Sequence, residues 1–156
     1  MTVADDRNAV TDTVYRYAWG IDTRDWALYR SIFADRVAID FTSYNPTSVA
    51  AEMAADDWVA NLIPLFTGLD ATQHTMTNPL VDIDGDTARC RMYMQAVHML
   101  GDDPEPEFTI GGYYDDQLVR TTNGWQLSAV TLTVTWRRGN PDIMRRARER
   151  TRGKDQ

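Results

Sequence analysis

Residues 87–98 read TARCRMYMQAVH, and every second side chain in this stretch is small or apolar until the run ends at His98. A period of two is the period of a β-strand, because successive side chains point to opposite faces. The preceding Asp84-Gly85-Asp86 contains the Asp-Gly pair typical of a tight hairpin turn. The sequence therefore predicts a hairpin of strands 72–82 and 87–100, with an inner face formed by Ala88, Cys90, Met92, Met94, Ala96 and His98.

Strand patterns continue after the hairpin, whereas the region before it is mostly helical. Residues 108–121 and 125–138 are predicted strands, joined by the turn residues Thr122-Asn123-Gly124. Apolar residues at helical spacing predict a first helix over about residues 5–20, ended by Gly20. A second helix follows, with Asp22 or Thr23 as its N-cap.

The remaining segments complete the fold prediction. Val37, Ile39 and Phe41 alternate as a short strand, and a third helix runs from Val49 through Leu62 and is broken by Pro64. Helices followed by a long antiparallel meander define an α+β arrangement. We expect one domain over residues 1–140, in which a strongly curved antiparallel sheet wraps around the helices and closes a conical pocket.

Charge is distributed unevenly along the chain. The formal net charge of −7 argues against a nucleic-acid partner, because phosphate binding needs a basic surface. Residues 141–156 nevertheless hold six basic and three acidic residues, whereas residues 1–140 hold ten and twenty. This basic C-terminal tail is either an arm for nucleic acid or membranes, or a solvated segment beside an acidic body. We favour the second interpretation and expect a short helix or a disordered tail.

The sequence carries no membrane or export signal. No apolar run approaches transmembrane length, and the N-terminus has no signal-peptide pattern. We therefore expect a soluble, cytoplasmic protein without a membrane partner. The single cysteine, Cys90, lies on the apolar strand face and is expected to be a small buried residue rather than a nucleophile.

The two histidines are the best functional candidates in the sequence. His74 shares a predicted strand face with Met76 and Asn78, and His98 ends the apolar face of the next strand. A buried imidazole can act as a general base, because burial and neighbouring groups move a pKa that starts near ~6.5. Asp22, at the end of the first helix, could orient one of these rings. The trio therefore predicts acid–base chemistry.

Each of these residues also has a structural interpretation. His74 could be a core histidine that donates a hydrogen bond to a backbone carbonyl, and His98 could be partly solvated and inert. Asp22 could serve only as the N-cap of the second helix. Tyr17, five residues before Asp22, could be a core aromatic, and Asn78 could bridge a strand irregularity beside Pro79.

Taken together, the motifs resemble the nuclear-transport-factor-2-like superfamily, in particular its SnoaL-like branch with scytalone dehydratase and related lyases. The resemblance covers about residues 5–140 and implies a cone-shaped fold that hosts dehydratases, isomerases, cyclases and non-catalytic binders. The motifs that carry it are Tyr15-Arg16-Tyr17-Ala18-Trp19-Gly20-Ile21-Asp22, Trp26, Ile32-Phe33-Ala34-Asp35, Thr72-Gln73-His74, Asp82–Ala88, Gly112–Asp116, Val119-Arg120, Gly124-Trp125 and Trp136–Asn140.

The resemblance implies roles for several residues. In scytalone dehydratase-like enzymes a helix-end aspartate pairs with a strand histidine and a second histidine faces it, and these positions are similar to Asp22, His74 and His98. Tyr17 lies near the place of a phenol in related dehydratases, and Tyr44 is a candidate for a second phenol. The resemblance also implies homodimers or homotrimers and activity without a cofactor or a metal.

An arginine on the last strand is a further implied site residue. Either Arg137 or Arg138 resembles it, and the alternation through Trp136 favours Arg138 as the inward one. The predicted catalytic set is thus His74, Asp22, His98 and Tyr17. The predicted substrate-binding set is Met76, Asn78, Met92, Met94, Trp136 and Arg138.

These residues predict a cofactor-independent lyase for a small, hydrophobic, cyclic or polyketide-like substrate. His74, oriented by Asp22, would remove a proton from the carbon next to a carbonyl, and His98 with Tyr17 would act on the leaving hydroxyl or the enolate. Two alternatives stay open. One is an isomerase or cyclase that uses the same base, and the other is a non-catalytic small-molecule binding or interaction module.

Overall fold

The structure, a computed structural model, describes residues 2–152. Within this range the helices and strands are α1 (Val3–Thr23), α2 (Trp26–Ser31), β1 (Phe33–Asp40), β2 (Ala51–Ala54), α3 (Ala55–Gly68), β3 (Ala71–Asp84), β4 (Thr87–Met99), β5 (Glu107–Thr121), β6 (Gly124–Gly139) and α4 (Asp142–Arg152). Among the described residues, no helix is both long and apolar enough to cross a membrane.

The strands form one curved sheet in the order β2-β1-β6-β5-β4-β3. The long strands β3 to β6 pair antiparallel in chain order, which confirms the predicted meander and the α+β class. The expectation of a purely antiparallel sheet is wrong at one place, because β1 pairs with β6 in parallel. Inward side chains of β4 and β5 join the core together with those of α1 and α3.

Helix α1 begins with a capping box, in which Thr2 and Asp5 satisfy each other's backbone N–H groups. Its buried face packs on the sheet and includes Val10, Val14 and Tyr17. The helix does not end at Gly20 as predicted. It continues to Thr23, and Arg24 takes the left-handed cap conformation at φ 60°. Asp22 is therefore a residue of the last turn of α1.

Gly20 has a packing role instead. A Cβ at this position would lie 2.7 Å from the Cβ of Tyr29 and 2.9 Å from its backbone nitrogen. Only a residue without a side chain lets α2 approach α1 so closely. The glycine that suggested a helix end is thus the contact point between the first two helices.

The third helix begins later than predicted. Residues 51–54 form the edge strand β2, where Met53 pairs with Val37 of β1, and the helix begins at Ala55. Pairing with β1 overrides the helical preference of this alanine-rich segment. Pro64 lies inside α3 and does not end it. The carbonyl that loses its partner there belongs to Ala60, which is exposed to solvent.

An irregularity at Asn78 changes the face that β3 presents to the core. Asn78 has φ 57° and lies in a register shift between Thr77 and Leu80. Before the bulge His74 faces inward with Met76, whereas after it Val81 is the buried residue. Asn78 is exposed, so its structural interpretation is correct and its predicted place in the pocket is wrong.

A second bulge decides which arginine of β6 faces inward. Gly112 pairs with Val134 but Gly111 pairs with Trp136, so one extra residue shifts the alternation. Trp136 consequently covers Gly111 and is 44% exposed. The preference for Arg138 is wrong: it pairs across the outer face with Glu107 at 2.9 Å.

Arg137 takes the inward position that was expected for Arg138. It pairs in register with Ile110, a buried inner-face residue. Its guanidinium donates to the carbonyls of Ser43 and Tyr44 and lies 5.3 Å from the Tyr44 ring centroid. Arg137 therefore holds the segment that carries Tyr44 in place, and it is not positioned to bind a ligand directly.

The basic C-terminal tail folds back onto the domain as α4, and its last residues, 153–156, lie outside the described range. Ile143 and Ala147 are fully buried, and the Ala147 carbonyl approaches Gly68 at the end of α3 so closely that a Cβ there would collide with it. An ion pair between Arg146 and the buried Asp103 fixes the helix further. Up to residue 152 the tail is therefore the expected short helix, but it is docked on the domain and not a solvated segment.

We predict that Gly20→Ala destabilises the protein. In an open helical position this change would stabilise the helix by about 1 kcal/mol. Here the added methyl group collides with Tyr29, and the overpacking should cost about 1–3 kcal/mol in the free energy of unfolding. Urea denaturation of both proteins measures the difference. An increase in stability would contradict the close contact between α1 and α2.

Candidate active site

A cavity of about 270 Å³ opens between the inner face of the sheet and the helices α1, α3 and α4. Its wall is mostly aromatic and aliphatic, with a few polar groups. The lining residues are Tyr17, Phe41, Tyr44, Asn45, Ser48, Trp58, Leu62, Leu65, Phe66, His74, Ala96, His98, Ile110, Tyr114, Leu132, Met144 and Arg148. A concave apolar site with convergent polar groups is the usual form of a small-molecule site.

Asp22 and His74 form a hydrogen-bonded dyad at this cavity. The ring Nδ1 of His74 lies 2.7 Å from Oδ1 of Asp22, and the His74 backbone N–H donates to Oδ2 at 2.7 Å. The His74 side chain is 5% exposed and the Asp22 side chain is 20% exposed. The carboxylate thus binds both the His74 ring and the backbone of β3, the strand that carries this ring. This fixes the direction of the imidazole.

Neighbouring residues hold the carboxylate in turn. The Thr72 hydroxyl donates to Oδ1 of Asp22 at 2.9 Å, and Arg24 donates to that hydroxyl at 2.9 Å. Asp22 does not cap α2, because the N-cap is Asp25, whose side chain accepts from the Leu28 N–H. The capping interpretation of Asp22 is therefore wrong, and its oxygens serve β3.

The dyad is arranged for an ionised carboxylate. Burial alone would raise the pKa of Asp22, but hydrogen bonds from the His74 ring and backbone, the charge of His74 and the Thr72 hydroxyl outweigh it. The net effect is a pKa below the ordinary aspartate value. An ionised Asp22 accepts a hydrogen bond from Nδ1–H of His74, which leaves Nε2 of the ring as the site for taking up a proton.

His98 lies beside the dyad and is 3% exposed. The centroid of its ring is 5.9 Å from that of the His74 ring. Its Nδ1 is 3.0 Å from the carbonyl oxygen of Phe108, which can only accept, so Nδ1 carries the proton. Burial, followed by the charge of His74, lowers the pKa of His98 to about 4. A neutral His98 with a bare Nε2 is a hydrogen-bond acceptor, which favours the hydrogen-bonding role over proton donation.

Three buried phenols meet next to the histidines. The Tyr114 hydroxyl lies 3.4 Å from that of Tyr17, and the Tyr17 and Tyr29 rings make an edge contact at 5.1 Å. Burial raises the pKa of Tyr17 to about 12, so the phenol keeps its proton. Because Tyr17 accepts from Tyr114, its own O–H remains able to donate into the cavity. Tyr17 is thus placed to donate a hydrogen bond into the cavity.

The predicted catalytic residues come together in the structure, but the predicted substrate-binding residues do not line the cavity. Met92 and Met94 are each 3% exposed and belong to the packed core, because the cavity reaches only the Ala96–His98 end of β4. Met76 packs against the same core. The two bulges displace the other three, Asn78, Trp136 and Arg138.

Several lining residues were missed in the sequence. Trp58, Leu62 and Phe66 fall at helical spacing on α3, a signal that predicts a buried face without telling core from cavity. Met144 and Arg148 are four residues apart on α4, so they share one helix face. Tyr44, the guessed second phenol, does line the cavity.

The acidic and histidine side chains of the site do not form a metal centre. Among residues 2–152, no group of three or more His, Cys, Asp or Glu side chains is placed to hold a metal ion. Nδ1 of each histidine is engaged, by Asp22 and by Phe108.

The fold and the site define a cone-shaped α+β protein with a buried His–Asp dyad at an apolar cavity. Residues 2–131 match the SnoaL-like domain family, and the chain belongs to that family. No curated protein matches the chain.

Solved structures show the same fold. The Kfla4162 protein from Kribbella flavida is 31% identical, with 92% of this chain and 99% of that one covered and a TM-score of 0.86. A protein from Novosphingobium aromaticivorans, provisionally named a scytalone dehydratase, is 18% identical over 86% and 87% of the two chains, TM-score 0.76. The LinA-type3 hexachlorocyclohexane dehydrochlorinase from Novosphingobium barchaimii is 16% identical over 88% and 92%, TM-score 0.71.

We predict that the folded state keeps His98 neutral to unusually low pH. Its pKa is depressed from 6.5 to about 4, so its contribution to stability is present above pH 6.5 and is lost as the pH falls towards 4. An NMR titration of the His98 ring should show a midpoint near 4. The urea-unfolded protein is the control, since both rings should then titrate near ~6.5. A midpoint near 6.5 in the folded protein would contradict the buried, Phe108-bonded geometry.

Proposed function

We propose that this protein is a cofactor-independent lyase that eliminates water from a small hydrophobic cyclic or polyketide-like carbonyl compound. The observation that carries the proposal is the 2.7 Å contact between His74 and Asp22 at the wall of an apolar cavity. A carboxylate that orients an imidazole and stabilises its protonated form is a typical arrangement for general-base catalysis. Relatives of this fold named for dehydratase and dehydrochlorinase activities support an elimination.

The reaction begins with proton transfer to His74. Its Nε2 takes a proton from the carbon next to the substrate carbonyl, and Asp22 stabilises the resulting imidazolium. The electron pair of the broken C–H bond moves into the carbonyl as an enolate, and Tyr17 donates a hydrogen bond to the negative charge that develops. The apolar wall excludes water, which strengthens these interactions.

The second step expels the hydroxyl group. The enolate collapses to form the new carbon–carbon double bond, and the bond to the hydroxyl oxygen breaks. The imidazolium of His74 returns its proton to this oxygen, so that water leaves and the base is neutral again. His98 accepts a hydrogen bond from the substrate and positions it. Atoms and charges balance without a further reactant.

We predict that His74→Gln abolishes turnover, because glutamine cannot serve as the base. Asp22→Asn should lower kcat by about 10²-fold or more, since the amide cannot stabilise the imidazolium. The assay is mass-spectrometric detection of dehydrated product from a set of cyclic β-hydroxy ketones. Asp25→Asn is the matched control: it changes another helix-end aspartate that caps α2, and activity should persist.

The product analysis also separates this proposal from its alternatives. In deuterium oxide, an isomerase would give an isomer of the substrate that carries solvent deuterium. Elimination gives the dehydrated compound instead. Binding of the ketones without turnover, insensitive to His74→Gln, would show a non-catalytic binding module. Undiminished activity of His74→Gln would refute the assignment of the base.

A further inference from the structure

Helix α4 contributes a cation to the cavity wall. Arg148 lines the cavity together with Met144 from the preceding turn, while Ile143 and Ala147 on the neighbouring face are buried against the domain. Ion pairs from Arg146 to Asp103 and from Arg150 to Asp70 hold the helix in place. The position of Arg148 is therefore set by the docking of the whole helix.

Arg148 differs from its neighbours in having no counterion. Arg145, Arg146 and Arg150 each form an ion pair. Within residues 2–152, Arg148 forms none, and its one hydrogen bond is donated to the backbone carbonyl of Asn61 at 3.0 Å. A guanidinium has five N–H donors, so most of its hydrogen-bonding capacity is unused by the described part of the chain.

Arg148 is half-buried between this cavity and a groove between α3 and α4 that it lines with Asn61 and Arg152. The cavity wall is largely apolar, and the acidic side chain nearest to the reacting groups, Asp22, is already bonded to His74. Burial, followed by the positive charge of Arg152, lowers the pKa of Arg148. An arginine stays protonated in proteins, so a partly buried guanidinium gains most from an anionic ligand.

We propose that Arg148 binds a carboxylate group of the substrate, which makes the substrate a small hydrophobic carboxylic acid. This inference rests on the proposed function and names the substrate class of the same site. A planar carboxylate matches the fork of a guanidinium with two parallel hydrogen bonds, which a neutral carbonyl or hydroxyl cannot form.

The chemistry of the dyad places a limit on where this carboxylate lies in the substrate. A negative charge next to the reacting carbon would oppose proton removal by His74. The carboxylate must therefore be separated from that carbon, with the apolar part of the molecule between them. Arg148 comes from α4 and His74 from β3, so the two groups approach the ligand from different elements. A ring with a remote carboxylate satisfies both.

The test compares two probes that differ only in charge, 2-naphthoate and 2-naphthamide, by isothermal titration calorimetry. The wild-type protein should bind the carboxylate at least about tenfold more tightly than the amide. Arg148→Gln should remove this preference and leave the affinity for the amide unchanged. Arg145→Gln, which removes an exposed arginine on the same helix, should keep the preference. Thermal melting verifies that α4 remains docked in both variants.

A third variant separates this inference from the proposed elimination. His74→Gln should bind the carboxylate as the wild type does, even though turnover is lost, so failure of one proposal is distinguishable from failure of the other. Equal affinity for the two probes, or no binding of either, overturns the inference. It is also overturned if the preference survives in Arg148→Gln, or disappears in His74→Gln and not in Arg148→Gln, since the anion would then lie elsewhere.

Discussion

The carboxylate of Asp22 connects the folding of this protein to its chemistry. It receives the backbone N–H of His74, the Nδ1–H of the same ring and the hydroxyl of Thr72, all from strand β3. The end of helix α1 is thereby joined to strand β3 at the edge of the sheet. Hydrogen bonds to a charged group contribute more than neutral ones, about 1.5–3 kcal/mol each, so the junction is strong. The position of this junction also determines where the His74 ring lies.

The rest of the site follows from the burial around that junction. These groups are buried beside a cavity walled by α3, α4 and the inner face of the sheet, and burial acts differently on each titratable group. Asp22 remains ionised because it is hydrogen-bonded, whereas His98 stays neutral and Tyr17 keeps its proton. One environment therefore holds an ionised carboxylate, a neutral imidazole that can accept a hydrogen bond and a phenol that can donate one. The division of roles arises from hydrogen-bond partners and not from residue type alone.

The sequence predicted the long elements and the proximity of Asp22, His74, His98 and Tyr17 well, because both depend on strong local patterns. The alternation from Ala88 to His98 defines the inner face of β4, and the spacing in α1 places Tyr17 and Asp22 at its end. It offered an irregularity at Asn78 only as an alternative and did not predict the bulge at Thr135, since a single extra residue leaves no clear mark yet reverses every side chain beyond it. The assignment of Arg138 in place of Arg137 failed for this reason. The docking of α4 depends on the distant residues Gly68 and Asp103, so the charge pattern alone left a short helix and a disordered tail as alternatives.

The most direct test of this account is the hydrogen bond between Nδ1–H of the His74 ring and Asp22, read from the ¹⁵N chemical shifts of the two ring nitrogens. With two histidines in the chain, a His98→Gln variant identifies the signals. The account predicts a proton held on Nδ1 by Asp22, and a loss of this fixed position in Asp22→Asn. A ring that carries its proton on Nε2, or that exchanges between both tautomers in the wild type and in Asp22→Asn alike, would contradict it.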